Sequence, residues 1–463
     1  MMNPTGRYQV LLGGAALVAM VLLSARVAVS DDGNQALRYW PQWRGPLSTG
    51  VAPRGNPPTN WGETKNIRWK TPLPGSGHST PIVWGDYVFV TAAVPYGEHK
   101  PPRSHEVDGA HGNRPVTRAS KFVVIAVNRR DGKIRWQKTM RAELPHEDAH
   151  YTGTMASNSP VTDGERVFAF FGSRGLYCLD FKGEKKWARD LGKMRIKHAH
   201  GEGSSPALYG NTVIVNWDHS GQSFIAAFDK RTGKRLWKTK RPEVTSWATP
   251  IVVKVDGKPQ VIVSGTRRMR GYGLSDGKVI WQCAGLSANI VASPVSSDGV
   301  VYAGSSYVKQ GMLAIRLTGA KGDITGSDHV IWNRRRNTPY VPSPLLYGKS
   351  LYFLHHYQPV MSRLDAKTGK DPEGPYRLPA IRNVYASPVG AANRVYITDR
   401  TGMTLVLSHD KKLKILATNR LDESINASGA IVGGEIFLRG DQHLYCIAEQ
   451  PEKKTPATSP SKP

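Results

Sequence analysis

One stretch constrains this chain more than any other: Ala227 to Trp237, reading Ala-Phe-Asp-Lys-Arg-Thr-Gly-Lys-Arg-Leu-Trp. It predicts the end of one β-strand, a tight turn at Thr232-Gly233-Lys234 where glycine supplies the positive φ, and a second strand that closes on Trp237. Weaker copies run from Ala126 to Trp136, Cys178 to Trp187, Gly271 to Trp281 and Leu364 to Lys370. A chain built from copies of one hairpin is a repeat protein.

A second marker recurs ahead of each copy: Ser or Thr, then Pro, then an alternating apolar run. It appears at Pro81, Pro160, Pro206, Pro250, Pro294, Pro344 and Pro388, with spacings of 79, 46, 44, 44, 50 and 44 residues. A degenerate copy follows at Ser428-Gly429-Ala430, which makes eight units. A period of roughly 40 to 50 residues with about four short strands per unit predicts an all-β, eight-bladed propeller. Pro opens the innermost strand, where a missing N–H costs little. Trp-Asp pairs occur only at Trp217-Asp218, and Gly-Gly beyond the first 30 residues only at Gly433-Gly434, so WD-type and kelch-type repeats do not fit.

Ile67-Arg68-Trp69-Lys70 resembles the second half of a unit without its first half. It predicts ring closure, with this early strand completing the last blade. The domain reading is a signal peptide over 1–30, an extended segment over 31–65, the propeller over 66–448 with an insertion at 95–118 in the first blade, and a disordered tail over 449–463. The insertion carries His99, His105 and His111 and is expected between the first and second strands of its blade, on the face opposite the loops that enter the inner strands.

The first residues place Arg7 before an apolar run from Val10 to Leu23 and small residues at Ala28-Val29-Ser30. That order is a secretory signal peptide, so a periplasmic or secreted location is expected, with an uncleaved anchor as the alternative. Three cysteines, Cys178, Cys283 and Cys446, make no disulfide framework and are read as small buried hydrophobes. None lies near the cleavage site, which argues against a lipoprotein. The formal charge of +27 falls to +25 without Arg7 and Arg26. The basic residues are spread over successive units near the outer strands, where charge blunts exposed edges; a polyanion-binding role is the alternative.

The Ala-x-Asp-x-x-Thr-Gly-Lys-x-x-Trp pattern resembles the repeat of the pyrroloquinoline quinone (PQQ) propeller superfamily, from Trp69 to about Ile447. The resemblance implies that Trp69, Trp136, Trp187, Trp237, Trp281 and Trp332 each dock against a neighbouring blade. Glu373 and Leu416 stand where two further Trp would fall, which implies repacked interfaces there. The superfamily holds quinoprotein alcohol and sugar dehydrogenases, with PQQ and Ca²⁺ on the ring axis, and non-enzymatic propellers, including the propeller subunit of the outer-membrane β-barrel assembly machinery. Trp40-Pro-Gln-Trp-Arg-Gly-Pro46 and Thr162-Asp-Gly-Glu-Arg-Val167 resemble a secreted bacterial branch. Many of the dehydrogenases carry adjacent cysteines, which this sequence lacks, and no segment matches their calcium ligands motif by motif.

His146-Glu-Asp-Ala-His150 and His198-Ala-His200-Gly-Glu202 precede inner strands, as does His78, so the three groups belong to loops on one face. Imidazoles brought together at that rim suit Zn²⁺ or another transition metal, with His146, His150, His198 and His200 as ligand candidates; polar loop residues bonding to turn backbones are the simpler reading. Trp247, Tyr340 and Tyr385 are expected to line the axial funnel, as faces for a sugar ring, a peptide side chain or a quinone, or else to pack between blades. No nucleophile elbow, phosphate loop or paired-Cys metal motif appears. The expected function is a non-enzymatic, monomeric scaffold at the cell envelope with a protein or polysaccharide partner. It involves no cofactor, no specific nucleic acid and at most peripheral membrane contact. The alternative is a PQQ- and Ca²⁺-dependent oxidoreductase.

Overall fold

The computed structural model describes residues 35–102 and 107–450. The signal-peptide reading, His105 and nearly all of the expected tail lie outside the described residues.

Each unit folds into a four-stranded antiparallel blade, and eight blades form the ring. The third unit is representative. Ala207–Tyr209 is innermost, followed outward by Thr212–Trp217, Phe224–Asp229 and Arg235–Lys240. The turn between the last two strands shows why Asp-x-x-Thr-Gly recurs: the Asp229 carboxylate accepts hydrogen bonds from the Thr232 N–H and hydroxyl, both 2.8 Å, and Gly233 takes φ +67°. Asp365, Thr368 and Gly369 repeat it.

The ring closes as the early strand predicts. Ile67–Pro72 pairs antiparallel with His443–Ala448, with Ile67 opposite Ile447 and Thr71 opposite Leu444, and so becomes the outer strand of the eighth blade. Joining the two ends of the chain in one sheet leaves no open end to the array.

Two kinds of contact join neighbouring blades. At the periphery, the indole N–H of Trp69, Trp136, Trp187, Trp237 and Trp332 donates to a backbone carbonyl of the next blade, over 2.8–3.0 Å. Trp187 also lies over the turn of the third blade, where a Cβ on Gly233 would come within 2.6 Å of the indole. Trp281 departs from the pattern. Its indole donates to Gln260 of its own blade, and Gly322–Asp323, from the long outer loop of the fifth blade, runs parallel beside it as a fifth strand. In the seventh blade, where Leu416 replaces a Trp, Trp61 of the N-terminal segment is buried against Tyr396 and its backbone N–H donates to the Asn419 side chain.

At the axis, the Ser or Thr of every marker after Thr80, including the degenerate one at Ser428, accepts a hydrogen bond from the equivalent backbone N–H one blade earlier. The donors are Thr80, Ser159, Ser205, Thr249, Ser293, Ser343 and Ser387, and the acceptors are the hydroxyls of Ser159, Ser205, Thr249, Ser293, Ser343, Ser387 and Ser428, at 2.8–3.0 Å. A buried N–H needs a partner, and this belt supplies one at seven consecutive interfaces.

The extended N-terminal segment threads this axis. Trp40 pairs with Val83, the Pro41 carbonyl accepts from Thr162, Thr49 accepts from Leu346, Ala52 donates to Gly390 and Asn56 to Gly433. Arg44 sits buried among them and donates to the carbonyls of Pro388 and Pro344, at 2.8 and 2.9 Å. Burial pushes its guanidinium down to about 9. The segment thus plugs one end of the channel.

Candidate functional site: a blind axial funnel

The other end of the channel opens as a funnel of about 260 Å³. The serine belt forms its neck, Trp43 from the plug contributes to its wall, and the loops entering the inner strands form its rim. Because the plug fills the far side, the funnel is a pocket and not a pore.

The wall has two chemical sectors. On the blade-five to blade-seven side, Tyr307 stacks on Tyr340 (5.8 Å, 21°), Tyr340 on His356 (4.4 Å, 10°), and Tyr357 meets Tyr340 edge-on at 5.1 Å. Burial holds the Tyr340 phenol up at about 12 and raises that of Tyr357, so both are neutral hydrogen-bonding groups at neutral pH. Tyr385 continues this sector under the Arg400 guanidinium, 5.0 Å from its ring. Tyr357 is 55 % exposed and Tyr307 is 38 % exposed, which leaves large aromatic groups facing water at the mouth.

The opposite sector is histidine. His150 and His200 lie with ring centroids 4.7 Å apart, and His111 stands 4.8 Å from His200 and 6.0 Å from His150. His200 is pushed down to about 4, first by burial and then by the neighbouring imidazoles, and His150 is lowered for the same first reason. The loop carrying His200 is strained to hold it there, since His198 and Ala199 both take positive φ (57° and 49°).

His111 reaches this cluster because the insertion lies between the second and third strands of the first blade, Tyr87–Tyr96 and Ala119–Asn128. This corrects the expectation that it separates the first and second strands and hangs from the opposite face. In an antiparallel blade, the loop from strand two to strand three leaves at the same end as the loop from strand four into the next blade. The insertion folds over the rim, where Asn113-Arg114 pairs with Ala149-His150 and Asn113 donates to the His198 carbonyl.

The remaining candidates divide. His78 lines the funnel, 3.4 Å from the Asp441 carboxylate, and its imidazole is lowered chiefly by burial. Trp247 lines it with its indole N–H donating to the Gly201 carbonyl. His198 touches the cluster edge but bonds through Nδ1 to the Asp108 carbonyl. His146 bonds through Nε2 to the Met194 carbonyl, away from the funnel wall. His99 is exposed on the insertion. Sequence reasoning did not single out Trp43, Tyr307, Tyr357, Asn289 or Asn426, which also line the funnel. Counting strands back from Trp136 identifies the face of His111; nothing in the repeat marks the others.

Among the described residues, Glu202 is the one carboxylate in the funnel wall. It accepts three hydrogen bonds, from the Ser173 N–H and hydroxyl and from Arg174. The three cysteines are free and buried within blades.

A closed ring of eight four-stranded blades, with a tryptophan of one blade lodged on the turn of the next, defines a PQQ-like propeller. The family model described as the outer membrane protein assembly factor BamB matches residues 120–372 and, in an overlapping register, 222–451; the chain belongs to this family. The assembly factor BamB of Yersinia pestis is 25 % identical over 305 residues, covering 63 % of this chain and 68 % of that protein. Among solved structures, the computationally designed Ika8 protein shares the fold at 10 % identity, with a TM-score of 0.53 over 82 % of this chain and 98 % of that one. The quinohemoprotein alcohol dehydrogenase ADHIIG of Pseudomonas putida HK5 aligns at 12 % identity and a TM-score of 0.45, over 94 % of this chain and 84 % of its own.

Proposed function

We propose that the protein is an exported, monomeric binding scaffold of the cell envelope that holds a segment of a protein partner at its funnel. The observation that carries this reading is the form of the funnel: a blind pocket with a tyrosine wall, and with Tyr307 and Tyr357 exposed at its mouth. Exposed apolar groups grouped around a pocket mark interaction sites, and aromatic anchors on a rigid ring lose little ordering entropy on binding. Family membership with an outer-membrane assembly factor supports a protein partner over a polysaccharide.

The shortage of free carboxylates in the funnel weighs against PQQ with Ca²⁺. A hard cation needs several oxygen ligands, and the single wall carboxylate among the described residues, Glu202, already accepts three hydrogen bonds from Ser173 and Arg174.

The test places a photo-crosslinking residue at Tyr357 on the rim and, as a control, at Ile134 on an outer strand, in cells making the full chain. The expected result is a discrete crosslinked envelope protein from position 357 alone. Equal or no crosslinking from both positions overturns the reading. So does alcohol- or sugar-dependent dye reduction after PQQ and Ca²⁺ are added to purified protein.

A further inference from the structure

We propose that His111, His150 and His200 form a binding site for one divalent cation of the zinc type, with its open coordination position facing the funnel. Their candidate ligand nitrogens all lie within 4.8 Å of one another. Tetrahedral ligands roughly 2.0–2.1 Å from a Zn²⁺ ion stand closer together than that. A shift of the insertion, which carries the exposed His111 together with the Gly109 carbonyl it bonds to, supplies the closure.

The hydrogen bonds assign the nitrogens. His111 Nδ1 lies 2.8 Å from the Gly109 carbonyl, which can only accept, so Nδ1 carries the proton and Nε2 keeps its lone pair. His150 Nδ1 lies 2.7 Å from the Thr152 hydroxyl and accepts from the Thr152 backbone N–H at 3.4 Å; ligation through Nε2 takes the other tautomer, in which Nδ1–H donates to that hydroxyl. His200 Nε2 is buried with no hydrogen-bond partner among the described residues. An imidazole fixed through one nitrogen by a carbonyl or hydroxyl, with the other left bare, is the arrangement of a metal-bound histidine. A buried ring nitrogen with nothing to bond is costly unless something occupies its lone pair.

The surroundings hold this geometry. A Cβ at Gly112 would come within 2.9 Å of His150 Nε2, so the insertion can lie against the cluster only because glycine stands there. The three ligands come from three loops, so an ion would tie the insertion to the entries of the second and third blades. Three imidazole nitrogens suit a borderline cation such as Zn²⁺ and are poor ligands for Ca²⁺ and Mg²⁺, which take oxygen donors. Because all three residues line the funnel wall, the remaining position of the ion meets whatever enters it, and a carboxylate is the natural fourth ligand. The site stands independently of the partner-binding reading.

The experiment uses tag-free full-length protein, stripped with chelator and dialysed, and titrated with Zn²⁺ and, for its spectrum, Co²⁺. The expected result is one equivalent of Zn²⁺ per chain and the intense visible absorption of tetrahedral Co²⁺, with added acetate shifting that spectrum. His111→Gln, in the exposed insertion, weakens binding at least tenfold, and His200→Gln does the same; His99→Gln leaves it unchanged. Circular dichroism establishes that each variant is folded, and the His111 variant keeps the test open should the buried His200 variant not fold. No uptake, uptake undiminished in the folded His111 variant, or an octahedral Co²⁺ spectrum overturns the proposal. A spectrum insensitive to acetate overturns the open position.

Discussion

The hydroxyl of Ser205 accepts a 2.9 Å hydrogen bond from the backbone N–H of Ser159, a residue one blade and 46 positions earlier. The same bond recurs at six further interfaces, so the residue before each proline holds two blades together at the axis while the proline itself needs no partner. Ser293, buried in the middle of this belt, serves Thr249. Ser293→Ala strips the Thr249 N–H of its acceptor in a place water does not reach, at a cost of about 1–3 kcal/mol. Ser293→Thr keeps the acceptor and most of the stability. Urea unfolding monitored by tryptophan fluorescence checks both; equal loss in the two variants refutes the role.

At the periphery the critical pair is Trp187 and Gly233. Gly233→Ala meets the left-handed backbone penalty of about 1 kcal/mol and, in addition, the indole 2.6 Å from the new Cβ. Gly257 also has positive φ, at +79°, yet a Cβ there finds nothing within 4 Å. Thermal melts are expected to show Gly233→Ala losing at least twice as much as Gly257→Ala. Matching losses mean that the Trp–Gly contact contributes nothing beyond backbone strain.

These two contacts also explain how far the sequence could be read. The ring, its blade number and its closure through Ile67–Pro72 were legible because Trp and Pro recur at fixed places, five of the six Trp making the same bond to the next blade. The Ser/Thr before Pro was visible as a marker but not as a bond, since its donor lies in another unit. Trp281 kept its place in the pattern and lost its partner, because the outer loop of the fifth blade occupies the adjacent edge. The funnel was legible only in part. His78, His150, His200, Trp247, Tyr340 and Tyr385 sit before inner strands and so fall on one rim. His111 lies far from them in sequence, and its face depends on whether one or two strands precede the insertion. Tyr307 and Tyr357 belong to second-to-third-strand loops, which the repeat leaves free to vary.

Arg44 tests the plug. Its side chain spans two blades by donating to Pro344 and Pro388, and it forms no ion pair among the described residues. Arg44→Ala leaves two buried carbonyls unsatisfied and is expected to cost on the order of 2–4 kcal/mol. Arg44→Lys recovers little, since a single ammonium on a flexible stem cannot reproduce a planar fork across two acceptors. Limited proteolysis should cut the segment around residues 41–58 far faster in both variants than in the parent. Unchanged cleavage in the alanine variant shows that the segment is held by its other contacts.

Acid should weaken the fold through histidines buried in their neutral form. His355 is 6 % exposed, with Nε2 2.9 Å from the Ser362 hydroxyl. Burial, and then the positive Arg334, push it down to about 4. In the unfolded chain the imidazole titrates near 6.5, so below that pH the unfolded state takes up a proton that the folded state refuses. Stability is therefore full above about pH 6.5 and declines as the pH falls toward 4. Between pH 7.5 and 5.0 this one group contributes a loss on the order of 2 kcal/mol. His355→Gln retains a hydrogen bond to Ser362 without a titrating ring, so its stability should fall less over the same interval. Urea midpoints of parent and variant at the two pH values decide it: parallel declines would show that His355 is not among the groups that take up the proton on unfolding.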